Sequence, residues 1–196
     1  MKKILKFSLV VVAILSTIKS NASSIDFSLA VKYKQGKVVS FAVREVSKIK
    51  LSVYDGTNAL VNVERITANG LVSRTYDLEA LPDGDYFLEA ETSSKISRYT
   101  ISVSGKSAIL CPDAVSEIYK PVFQAKNGIT SVSIDNRSKN VVSIAVLNTE
   151  GETVHESLSL NQNVIKYFDF KGKGKEEYTF VIKYNDTVFY NTVAVR

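Results

Sequence analysis

Few residues in this chain are placed to do chemistry. Asp83 and Asp85 stand two apart in Leu81-Pro82-Asp83-Gly84-Asp85-Tyr86, and Asp55 and Asp77 fall in neighbouring turn regions. Carboxylates spaced in this way could offer oxygens to a surface Ca²⁺. A complete ligand loop and a bidentate glutamate at EF-hand spacing are both missing, so these aspartates read as solvated turn residues and no metal site is expected. His155 lies beside Glu156 in an alternating stretch, and no serine or cysteine nucleophile motif adjoins it, so it is given no catalytic role. Cys111 and His155 are the single residues of their kinds, which excludes an intrachain disulfide and a Cys/His metal cluster. Cys111 is expected to be buried. No Gly-x-Ser-x-Gly, phosphate loop or dinucleotide fingerprint occurs, so neither an enzyme nor a bound cofactor is expected. Ten Tyr and nine Phe residues, with no Trp, remain as candidates for contact. Most of them suit a core or cross-strand pairs. Tyr184, Phe189 and Tyr190 flank one hairpin and mark a possible binding surface.

The elements that would carry these residues are strands. Leu29, Val31 and Tyr33 continue an alternation begun at Ile25 and Phe27, the pattern of a half-buried strand. Further alternating runs fall near 38–43, 49–53, 59–66, 72–78 and 86–90, and a last one after Ser93-Ser94 has Ile101 and Val103 in phase. Turn signals separate them at Gln35-Gly36, Asp55–Asn58, Asn69-Gly70, Leu81–Gly84 and Ser93-Ser94. Seven more strands are expected near 118–125, 129–135, 141–147, 152–160, 164–170, 178–184 and 187–195.

The two sets echo one another at an offset of 92 or 93 positions. Leu51 falls in phase with Ile144, Val53 with Val146, Leu78 with Phe170, Tyr86 with Tyr178, Leu88 with Phe180 and Ile101 with Val193. A fixed-period echo of this size is the mark of a duplicated module. Seven short strands per copy suggest an all-β fold of two tandem Ig-like, fibronectin III-like antiparallel sandwiches. The first module is placed at 23–104, a linker at 105–117 and the second module at 118–196.

Residues 1–22 read as a signal peptide. Lys2, Lys3 and Lys6 precede an apolar run too short to span a bilayer, and Ser20-Asn21-Ala22 suits a cleavage site before Ser23. Removing it takes away four lysines and leaves 21 basic against 20 acidic residues, a net charge of about +1 where the whole chain carries +5. So balanced a surface gives no field for nucleic acid or anionic membrane. The basic run Lys171-Gly172-Lys173-Gly174-Lys175 reads as a solvated hairpin tip. After cleavage the protein is not expected to be an integral membrane protein.

The run Leu81-Pro82-Asp83-Gly84-Asp85-Tyr86-Phe87-Leu88, with Lys50-Leu51-Ser52-Val53-Tyr54-Asp55 and Tyr76-Asp77-Leu78 before it, resembles the C-terminal sorting domains of the Bacteroidetes type IX secretion system. It resembles fibronectin type III modules more loosely. The likeness covers residues 47–103. It implies an Ig-like sandwich in which Leu81, Pro82 and Gly84 shape a structural turn and Tyr86 packs inward, in a bacterial envelope setting. The function expected is that of an exported, non-catalytic structural or binding module. It would meet a protein or glycan partner in the periplasm, at the cell surface or outside the cell. A secretion-associated module related to sorting domains is the alternative.

Overall fold

The computed structural model describes residues 29–33, 36–173 and 176–195. The expected signal peptide, Ile25, Phe27, Gln35, Gly174, Lys175 and Arg196 lie outside these residues. All regular structure among the described residues is β-strand, and the chain divides into two compact units. One spans Asn21–Ile118, and the other includes Tyr119–Arg196.

The first unit is built from β1 (Leu29–Tyr33), β2 (Val38–Tyr54), β3 (Leu60–Asp77), β4 (Gly84–Glu91), β5 (Lys95–Ser104), β6 (Ser107–Leu110) and β7 (Ser116–Tyr119). They form one seven-stranded sheet in the order β1-β2-β4-β5-β6, with β3 also on β2 and β7 also on β5. Two strands are far longer than expected. The runs at 38–43 and 49–53 merge into the 17-residue β2, and those at 59–66 and 72–78 merge into the 18-residue β3. Asn69-Gly70 therefore does not reverse the chain. Gly70 adopts φ +104° inside β3, and the register shifts between Val43 and Lys48 lie across from it. Glycine takes such a φ without a Cβ penalty, so the paired strands bulge together and bend instead of ending. The bend is sharp. Glu64 and Arg74 lie ten residues apart on β3, which is about 33 Å along a straight strand, yet Arg74 Nη2 is 2.7 Å from Glu64 Oε1. Val39, Phe41 and Val43 from one half of β2 thus share a core with Ile49, Leu51 and Val53 from the other, closed by Leu88, Ile101 and Leu110.

The segment expected as a linker, 105–117, carries β6 and the first half of β7. Buried Lys95 supplies the reason for β7. Its Nζ donates to Glu117 Oε1 at 2.6 Å, and Ser97 Oγ donates to the same oxygen at 3.1 Å. A buried ammonium is costly unless it is paired and hydrogen-bonded, so Glu117 is drawn onto β5.

The second unit holds β8 (Val122–Lys126), β9 (Ile129–Asp135), β10 (Val142–Leu147), β11 (Thr153–Ser159), β12 (Asn163–Asp169), β13 (Glu177–Tyr184) and β14 (Thr187–Ala194). Here two separate sheets form, β11-β10-β13-β14 and β12-β9-β8. The strand expected at 118–125 is interrupted at Pro121, which has no N–H for a ladder. Asn127-Gly128 and Asn185-Asp186 close two-residue hairpins with positive φ at both positions, as the type I′ turn requires. The core is aromatic: the Phe180 ring meets Phe123 at 5.4 Å and Phe168 at 5.0 Å, both edge-on.

Strand registers recur between the units. Val53 pairs with Leu88, and Val146 with Phe180. Tyr86 pairs with Ile101, and Tyr178 with Val193. Phe41 pairs with Arg74, and Val132 with Lys166. Leu51 pairs with Glu64, and Ile144 with Ser157. The unit-to-unit difference lies where β2 and β3 continue but their counterparts break, at 136–141 and 160–162. Asn136, fully buried, holds that break together. Its N–H donates to Gln162 O at 2.7 Å, and its Nδ2 donates to Asn140 O at 2.7 Å and Asn161 O at 3.1 Å.

Candidate functional site

The residues singled out from the sequence do not gather into one site. Tyr86 is 7% exposed, and its hydroxyl donates to Pro82 O at 3.0 Å, tying the turn to the strand that follows it. Lys37 Nζ donates to Leu81 O at 3.0 Å and meets Asp83 Oδ1 at 3.3 Å. Gly105 N–H donates to the other oxygen of Asp83, and this hydrogen bond, ahead of Lys37, holds the Asp83 carboxyl below its ordinary pKa. Gly84, at φ +153°, opens β4. The Leu81–Tyr86 segment is thus a clasp on the first unit's core.

The other carboxylates are likewise engaged. Asp55 Oδ1 accepts from Thr57 Oγ1, Thr57 N and Ala59 N at 2.7–2.9 Å, and the Thr57 hydroxyl leads in lowering its pKa. Asp77 Oδ1 accepts from Glu79 N at 2.9 Å, and Asp85 Oδ1 from Ser102 Oγ at 2.8 Å. No group of three or more His, Cys, Asp or Glu residues suited to a metal occurs among the described residues. Cys111, expected to be buried, is exposed: its N–H bonds Thr100 O beyond the end of β6, while the side chain lies at the surface.

The aromatic hairpin splits by strand alternation. Tyr184 is 3% exposed and faces the core, with Phe189 tilted against it at 5.4 Å, whereas Tyr190 is 71% exposed on the opposite side of the sheet. The three residues therefore do not make one binding surface. Period-two geometry puts Phe189 and Tyr190 on opposite faces whatever their chemistry.

A different place stands out, where β11 and β12 each form one free edge of the second unit's two sheets, the other edges being β14 and β8. Among the described residues β11 pairs only with β10, and β12 only with β9. A core-facing position at such an edge is normally apolar. On β11, alternation instead turns His155, Ser157 and Ser159 inward, and on β12 it places half-buried Lys166 between the buried Val164 and Phe168. His155 Nε2 and Ser157 Oγ are buried without a hydrogen-bond partner. The His155 ring stands edge-on to Phe168 at 5.2 Å. Burial first, and the Lys166 charge second, lower the His155 pKa, so the imidazole is neutral at pH 7. On its solvent face β11 carries Val154, Glu156 and Leu158, with Leu158 68% exposed and Leu160 exposed just beyond the strand.

The first unit shows the same edge closed. At the positions matching Ser157 and Lys166 stand Glu64 and Arg74. Arg74 Nε and Nη2 both reach Glu64 Oε1, at 2.9 and 2.7 Å, and Nε reaches Oε2 at 3.0 Å. Tyr76 stands where the second unit has Phe168; its hydroxyl is also buried without a hydrogen-bond partner, and burial and then the Glu64 charge push its pKa up to about 12. Lys166, Ser157 and Leu158 went unremarked in the sequence, although the 92–93 offset was signal enough to show a basic residue kept and its acid lost.

Neither a protein-family model nor a curated protein sequence matches the chain. Solved structures of similar shape include the BSP domain of a biofilm-associated protein (10% identity, TM-score 0.30, 86% of this chain and 29% of that one). Others are the chicken CNTN1 FN1–FN3 domains (10%, 0.30, 87% and 65%) and Ruminococcus gnavus β-glucuronidase (13%, 0.30, 83% and 36%). The chain thus spans less than two thirds of each of these proteins, and likenesses at such TM-scores carry no argument here.

Proposed function

We propose that this chain is an exported, non-catalytic protein of two tandem Ig-like modules, and that it works by binding a partner protein in the bacterial envelope or outside the cell. One observation carries this reading. Among the described residues, β11 and β12 of the second unit are each paired on one side only, and polar atoms of β11 without hydrogen-bond partners turn inward there. Unpaired strand edges are ready templates for another chain, and proteins that do not use them usually plug them, as Glu64 and Arg74 do in the first unit. The resemblance of residues 81–88 to type IX sorting domains is taken as one of fold. The sorting role itself is the alternative, and mass spectrometry of the secreted protein's C-terminus separates the two: loss of Arg196 favours sorting, and retention favours the binding module.

The test is a pull-down from envelope extract with residues 23–196 as bait, run beside a glycan array. A captured protein that is lost when β11 is altered supports the reading. Capture of glycan alone shifts it to the glycan class of partner, and silence in both reduces the chain to a structural element.

A further inference from the structure

Resting on that reading, we infer that the open edge of the second unit takes up an extended acidic segment of a partner protein, which adds as a strand alongside β11 and places a carboxylate against Lys166 and Ser157. The inference comes from comparing the two units at one register. In the first, a carboxylate of the chain itself, Glu64, meets the guanidinium of Arg74 across the bend of β3. In the second, the cation is retained as Lys166, opposite Val132 just as Arg74 is opposite Phe41. The acid has become Ser157, whose hydroxyl is buried with no acceptor, next to the similarly unpartnered His155 Nε2. An unsatisfied buried polar group costs free energy comparable to a lost hydrogen bond, so two at one edge are a standing gain for a ligand that satisfies them. Asp and Glu side chains accept from an ammonium and a hydroxyl at once.

The backbone fits the same occupant. In strand addition, main-chain hydrogen bonds supply affinity and alternate side chains supply specificity. Alternation on β11 divides the demands between its faces: inward lie His155, Ser157 and Ser159, outward lie Val154, Glu156 and Leu158, with exposed Leu160 just past the strand end. The segment that matches has acidic residues at every second position and apolar residues between them. Both orphan atoms are closed to water in this structure, so the incoming side chain meets the ammonium of Lys166 first and reaches Ser157 as the edge parts. The first unit is the internal control, because its edge already holds a carboxylate.

The experiment uses residues 23–196 and a fluorescein-labelled nonapeptide of alternating valine and glutamate, read by fluorescence polarisation and by backbone amide shifts. Saturable binding is expected, with shifts on β11 and β12 and none on β3. Replacing every glutamate by glutamine should weaken it about tenfold or more, a loss that alters nothing in the protein. Lys166→Met, which keeps the apolar stem, should do the same, and Lys166→Glu should restore binding to a valine–lysine peptide. Binding that ignores Lys166 or moves shifts only at β3 overturns the inference, as does binding of a polyuronate in place of the peptide. No binding of any peptide by a chain that still captures a protein from extract overturns the acidic segment alone and leaves the binding module intact.

Discussion

The two units keep the same register but handle their corners in opposite ways. In the first, β2 and β3 run unbroken from one half of the core to the other, bending at a shared bulge with Gly70 at its centre. In the second, both strands stop and the buried Asn136 amide takes over, satisfying carbonyls on two different loops. Continuity spreads the bend over a ladder of backbone bonds, whereas interruption concentrates it on one side chain. The same contrast holds at the free edge. A bidentate Arg74–Glu64 pair shuts one unit, while Lys166 and Ser157 leave the other unsealed.

This comparison can be broken at several points. The largest effect is expected in the aromatic core. Phe180→Ala removes a fully buried ring in contact with Phe123, Phe168 and Phe170 and should cost about 3–5 kcal/mol. Denaturant unfolding followed by hydrogen exchange should show the loss in residues 119–195 and not in β1–β6.

Next comes the corner. Asn136→Ala orphans two carbonyls and should cost about 1–3 kcal/mol, with exchange rising at 136–141 and 160–162. If Gly70→Ala, which strains a φ of +104°, opens the first unit over an equally narrow stretch, the claimed difference between spread and concentrated bending is wrong.

Tyr86→Phe should remove the bond to Pro82 O and about 0.5–1.5 kcal/mol. The matching Tyr178 donates instead to Glu176 Oε2 at 2.6 Å, and burial followed by that bond pushes its pKa up to about 12. Tyr178→Phe should therefore leave the Phe170–Lys173 turn unchanged, and a shift there would show the two tyrosines to be closer in role.

The smallest effects belong to the edges. Glu64→Gln should cost less than about 1 kcal/mol, because both partners are about a third exposed. His155 adds a pH dependence with a definite sign. Its folded pKa is lowered, so below the ordinary histidine value the unfolded chain binds the proton more readily and stability falls as pH drops. As the only histidine of the chain, it should account for a decline, confined to the second unit, that sets in as pH falls past the ordinary histidine range, and His155→Phe should flatten it.

Much of this was legible in the sequence. Period-two alternation located six strands of the second unit closely, because turns such as Asn127-Gly128 and Asn185-Asp186 mark their ends sharply, whereas the run expected at 118–125 is split at Pro121 between β7 and β8. The resemblance carried by residues 81–88 implied that Tyr86 enters a strand and packs inward, and Tyr86 is buried in β4. The merging of four expected strands into β2 and β3 did not, since Asn69-Gly70 looks the same whether it reverses a chain or bulges it, and the partner strand decides. The expected linker failed for a similar reason: Lys95 and Glu117 are 22 residues apart, and nothing local announces their pairing. At Tyr184, Phe189 and Tyr190 composition suggested a surface that alternation forbids.

The interrupted corner also sets where the second unit can be rewired. Ser138 and Lys139 stand at the exposed tip of a turn outside both ladders, tied to the β13–β14 hairpin through side-chain bonds from Ser138 and Asn140 to Asn185. A circular permutant whose new termini fall between them severs no sheet, and a foreign sequence grafted there lengthens only a loop. The corresponding cut in the first unit would fall within β2 and divide the strand that joins its two halves.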